Sequence, residues 1–84
     1  MNNELIKLPQ RFFDDHSDRG LPTPSVVKSN YTHVWVQAND AALPELLNDA
    51  QFYAEEAWDM GKEYIGIGSS ARATVRAIQK AMQQ

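Results

Sequence analysis

The sequence predicts an α+β fold, three helices packed on a small sheet of two or three strands, and three patterns carry the prediction. Residues 31–37 alternate with the period of a strand: Thr32, Val34 and Val36 share one face, and Tyr31, His33, Trp35 and Gln37 the other. Leu43, Leu46, Leu47, Ala50, Tyr53, Ala54, Ala57 and Met60 form an apolar stripe at helical spacing. Ala71, Val75, Ile78 and Met82 gather within about 60° of one another on a helical wheel. The alternative is a mainly helical chain in which 25–37 and 63–68 are extended loops.

Each element follows from local chemistry. A short helix is expected over about 9–19. Pro9 suits its first turn, where the missing N–H would be unpaired anyway, and Gly20 suits the left-handed residue past its end. Phe12 and Phe13, with Leu8 one turn back, anchor it. Pro22 and Pro24 then stop any helix, because each pushes its predecessor toward extended geometry. Residues 25–28 read as an extended run joined to 31–37, with Ser29-Asn30 as a two-residue hairpin turn that lacks the favoured glycine. Asn39-Asp40 offers an N-cap for a helix from about 41–44 to 60, with Pro44 in the first turn and Gly61 closing it. Residues 63–68 read as a short strand or ordered loop. Ser69 or Ser70 then caps a last helix that reaches almost to Gln84.

Composition places all of this in one small globular domain spanning 1–84. Hydrophobic residues make up 43% and charged residues 23% of the 84, an ordinary globular balance. No apolar run approaches the roughly 18 residues a membrane span needs, so no membrane partner is expected. The first residues have no apolar leader core, and the chain reads as cytoplasmic. With no cysteine, disulfides and thiolate chemistry are excluded.

Charge is divided along the chain. Residues 1–61 carry four bases and ten acids, a charge of −6, whereas 62–84 carry four bases and one acid, a charge of +3. Between 40 and 61 stand Asp40, Glu45, Asp49, Glu55, Glu56 and Asp59 without a single Lys or Arg. The simplest account is an acidic helix lying beside a basic one. The overall charge of −3 argues against a dominant non-specific affinity for nucleic acid.

Four groups of residues were weighed as sites. Tyr31, His33 and Trp35 on one strand face can serve as core, as a protein interface, or as a stacking platform for bases. Arg72, Arg76 and Lys80, spaced by four, make a cationic stripe suited to intramolecular pairing, a partner or about three phosphates. Gly66, Gly68, Ser69 and Ser70 ahead of a helix form a weak anion-binding candidate, although neither a Walker loop nor a dinucleotide fingerprint is present. Asp14, Asp15, His16 and Asp18, with His33, hint at a metal, but Arg11–Asp15 and Asp15–Arg19 at i, i+4 read as an exposed salt-bridged helix, so no metal site and no cofactor is expected.

No Gly-x-Ser-x-Gly elbow and no His-Glu-x-x-His occurs, and the two histidines offer little for nucleophilic catalysis. The sequence therefore reads as a non-enzymatic protein-interaction module, self-associating as a homo-oligomer or binding another protein. The rival reading is a nucleic-acid or phosphate-ligand binder using the aromatic strand face and the basic C-terminal helix on one shared surface.

Overall fold

The computed structural model describes residues 4–60 and 65–83, with side chains described for 4–55 and 67–83. Six elements follow in chain order: β1 (Leu5–Pro9), α1 (Gln10–Asp18), β2 (Val26–Ser29), β3 (His33–Gln37), α2 (Leu43–Met60) and α3 (Ile65–Met82). The strands form one antiparallel sheet in the order β1-β3-β2, and the helices pack on one of its faces. This is the α+β arrangement the residue patterns imply.

β1 was not expected. Only Ile6 and Leu8 alternate inward, and Leu5 on the opposite face blurs the period. What makes the strand is its partner: Ile6 stands opposite Val36 and Leu8 opposite Val34. All four are buried against the helices. Leu8 thus serves the sheet rather than a turn of helix. The chain passes straight from β1 into α1, with Pro9 in extended geometry (φ −62°, ψ 129°) as the residue before the helix. α1 ends where expected. Gly20 takes φ +76°, and its N–H donates to the Ser17 carbonyl at 3.0 Å.

The β2–β3 hairpin forms, but its turn is displaced from Ser29-Asn30. The Asn30 N–H donates to the His33 carbonyl at 2.9 Å, which puts Tyr31 and Thr32 at the tip. No non-glycine residue among those described has positive φ, so the glycine-favouring left-handed turn is not used. Instead the Asn30 side-chain Oδ1 accepts from the N–H groups of Thr32 (2.8 Å) and His33 (2.7 Å) and holds the turn from within. A register shift between Val26 and Lys28 bulges β2.

α2 starts at Leu43, within the expected range, with Asp40 in the turn ahead of it rather than at the cap. The Asp40 Oδ1 accepts from Ala42 N–H at 2.9 Å, and its Oδ2 from Ser25 N–H at 3.1 Å, tying the loop before β2 to the turn that leads into the helix. Leu43, Leu46 and Ala50 are buried, with Leu47, Tyr53 and Ala54 packed against them. Gly61 lies outside the described residues.

α3 corrects the last boundary. The helix begins at Ile65, so Gly66, Gly68, Ser69 and Ser70 belong to its first turns and neither serine stands before it as a cap. Glycine disfavours a helix by about 1 kcal/mol relative to alanine, but here the apolar stripe extends back to Ile67, and Gly68 is buried. Thr74, also buried, donates its hydroxyl to the Ser70 carbonyl at 2.8 Å.

α2 and α3 make the most extensive helix–helix contact, as the divided charge suggests. The core beneath them contains Phe12, Leu8, Leu46, Ile78, Val34 and Val36, all essentially without solvent contact. Burying each such side chain contributes about 1.5–3 kcal/mol.

Candidate functional site

Among the described residues the helices cover only one side of the sheet. Val34 and Val36 point into the core, so the alternation of β3 turns His33 and Trp35 to the outer face. Register then aligns a row across all three strands. Lys7 on β1 and Lys28 on β2 both stand directly opposite Trp35. The Lys28 ammonium lies 4.8 Å from the indole centroid and that of Lys7 5.9 Å, both within cation–π range. The His33 ring is 6.4 Å from that of Trp35, and its Nδ1 is 2.8 Å from the Thr32 hydroxyl. Trp35 and His33 are half-buried, Lys7 and Lys28 exposed.

Neither lysine has a carboxylate within ion-pair distance among the described residues. In a chain of net charge −3, this face concentrates positive charge on an aromatic ring. The core reading of Trp35 is thereby corrected, since no described helix packs over it. Tyr31 does not join the row. At the hairpin tip it is fully exposed, away from the regular alternation.

The cationic stripe is also divided. Arg72 and Arg76 border an open groove of about 450 Å³ between α2 and α3, with Gln51, Ala54, Glu55 and Val75. Glu55 shares that groove, yet no ion pair within 4.0 Å joins α2 to α3 among the described residues. Among the described residues the expected charge pairing of the two helices is therefore proximity without an ion pair. Lys80 turns elsewhere, to a groove beside β1. Arg72 and Arg76 thus stand in the helix layer, and Trp35 on the sheet face turned away from it. The single surface required by the nucleic-acid reading is not assembled.

Of the acidic segment of α1 only His16 enters the interior, while Asp14 and Asp18 stay exposed. His16 is fully buried: its Nε2 donates to the Pro22 carbonyl at 2.8 Å, and its Nδ1 lies 2.7 Å from Asp49 Oδ2 on α2. Arg19 ion-pairs with both Asp15 and Asp49 and stacks over Tyr53 at 4.4 Å. Partial burial works against the Arg19 charge. The neighbouring carboxylates of Asp49 and Asp15 outweigh it and hold the guanidinium above the usual arginine range, so it stays charged at any working pH. Of the two pairs expected on α1, Asp15–Arg19 forms. Asp14 instead accepts from Gln10 Nε2 at 3.4 Å. His16 and His33 lie in different parts of the fold, and among the described residues no three His, Asp or Glu side chains group as a metal site.

Residue patterns alone pointed to His33 and Trp35 but not to Lys7, Lys28 or Asp49. The two lysines belong to other strands and reach the indole only through register. Asp49 carried one signal, an acid directly beside the buried Ala50 on an otherwise amphipathic helix.

Comparison with protein-family models, with curated proteins and with solved structures finds no match to this chain. No described helix is long and apolar enough to cross a membrane.

Proposed function

We propose that this chain is a small non-enzymatic protein-interaction module whose binding face is the outer side of the sheet. The observation that supports this reading is the Lys7–Trp35–Lys28 row, an aromatic ring bracketed by cations and left uncovered by the chain's own helices. Tryptophan is enriched where proteins meet, because it offers a large rigid apolar area with few torsions to freeze. Further apolar surface is exposed at Val26 and Val27 beside this face, and on the helix side Phe52 is 57% exposed. Charge gives the partner its character. Two copies meeting sheet to sheet would oppose four lysines, so the matching surface is acidic, whether on another protein or on the acid-rich α2 of a second copy.

A photo-crosslinking residue placed at position 33, with a control at the exposed position 17 on α1, tests this in the source cells. The expected result is a defined protein crosslink from 33 that is absent from 17 and lost with Trp35→Ala. Sedimentation across micromolar concentrations then separates a second copy from another protein. A monomer giving no crosslink at 33 overturns the reading. A salt-dependent change in tryptophan fluorescence on adding an oligonucleotide, abolished in Trp35→Ala, would replace it with nucleic-acid binding.

A further inference from the structure

We infer that the free edge of β1 accepts an extended, carboxylate-bearing segment of a partner protein as a fourth strand, clasped between that edge and the C-terminal half of α3. This rests on the interaction reading and specifies the form of the partner.

Among the described residues the sheet order leaves β1 at an edge. Two bonds flanking the β1–β3 ladder establish which of its backbone groups are spent. The Ala38 N–H donates to the Glu4 carbonyl at 2.9 Å, and the Gln10 N–H to the Thr32 carbonyl at 3.0 Å. In an antiparallel ladder hydrogen-bonded positions recur every second residue, so Glu4, Ile6, Leu8 and Gln10 bond to β3. Leu5 and Lys7 accordingly direct their N–H and C=O groups away from the sheet. Such an edge is a template for strand addition unless something covers or distorts it.

What lies beside the edge is a groove of about 280 Å³. One wall is Glu4, Leu5, Ile6 and Lys7; the other is Ala77, Lys80 and Ala81 on α3. Three consecutive β1 residues and Glu4 just before them line it, whereas a strand seen from its face would offer only every second one. The strand therefore presents its backbone edge to the groove. Ala77 and Ala81 keep the helix wall low, leaving room for a backbone to lie alongside.

Charge selects the occupant. Lys7 and Lys80, both exposed, stand on opposite walls, and Glu4, at the N-terminal end, is the one acid among the described lining residues. A second copy offering the same edge would bring Lys7 and Lys80 against their own counterparts. An extended segment with carboxylates facing these two lysines meets neither penalty, with main-chain bonds for affinity and the lysines for selection.

The test is an amide NMR titration of the full chain with two capped heptapeptides of alternating Thr and Val, one with two Thr replaced by Glu and one by Lys. The Glu peptide should shift and protect the Leu5 and Lys7 amides, and the Lys peptide should bind at least tenfold more weakly. Lys80→Glu should weaken the Glu peptide by about fivefold or more. Lys7→Pro should abolish binding, since it removes an outward N–H without breaking the ladder to β3. Should Lys7→Pro fail to fold, Lys80→Glu, outside the ladder, decides.

Leu5 and Lys7 amides unmoved by millimolar Glu peptide, or equal binding of both peptides, overturns the inference. Shifts confined to Lys28, His33 and Trp35 overturn it while leaving the interaction reading standing. Shifts at Leu5 and Lys7 without any crosslink from position 33 do the reverse, keeping the edge and removing the outer face.

Discussion

Two polar regions of this molecule, the His16–Asp49–Arg19 cluster and the Lys7–Trp35–Lys28 row, use their charges in opposite ways. In the first, every ring nitrogen, guanidinium and carboxylate has a partner within the fold. His16 joins α1 to both α2 and the loop at Pro22, and Arg19 lies between two acids. Removing one member would strand the others in a poorly solvated place. In the second, two cations rest on an indole at the surface, and among the described residues no carboxylate lies within ion-pair distance of them. The contrast separates two meanings of a charged cluster. Satisfied and buried, it specifies how elements dock; unsatisfied and exposed, it remains available to another molecule.

The contrast can be broken at three levels. Phe12 lies under the first region, its ring 6.1 Å from that of Tyr53 and fully buried, so Phe12→Ala should cost about 3–5 kcal/mol in urea unfolding. A loss below about 1 kcal/mol would show that α1 is not part of the cooperative core. Asp49→Ala should cost about 3 kcal/mol, because it orphans buried His16 and removes one of two acids from Arg19. A thermal melt unchanged from the parent would reduce that cluster to surface decoration. Lys7→Gln and Lys28→Gln should each cost only about 0.5 kcal/mol of stability, while together they abolish the crosslink from position 33. If they unfold the chain instead, the row is structural and the distinction between the two regions fails.

Local chemistry made α1, β3 and α2 legible, because each carries its own start or stop and its own period. Gly20 and Asp40 do what their residue types suggest. β1 escaped because its alternation covers only Ile6 and Leu8, and its existence depends on Val34 and Val36, far along the chain. The start of α3 is not legible locally, because Gly66 and Gly68 read as punctuation, whereas packing against α2 carries the helix through them.

The candidate site was half legible for a related reason. His33 and Trp35 are two residues apart and announce one face, but the cations over the indole arrive from both neighbouring strands. Conversely, Arg72, Arg76 and Lys80 looked like one stripe. Each step of four advances about 40° around a helix. Two steps are enough to send Lys80 toward β1 while Arg72 and Arg76 border α2.

The bulge in β2 gives the sheet a direction. Its two edges are unequal: β1 runs in unbroken register with β3, whereas β2 shifts between Val26 and Lys28 and carries its ladder out of line. Bulges of this kind blunt an edge against further pairing. A sheet that grows from one side only cannot propagate through copies of itself. Edge-to-edge stacking of copies into a fibre would need both edges, and the blunted β2 edge works against it.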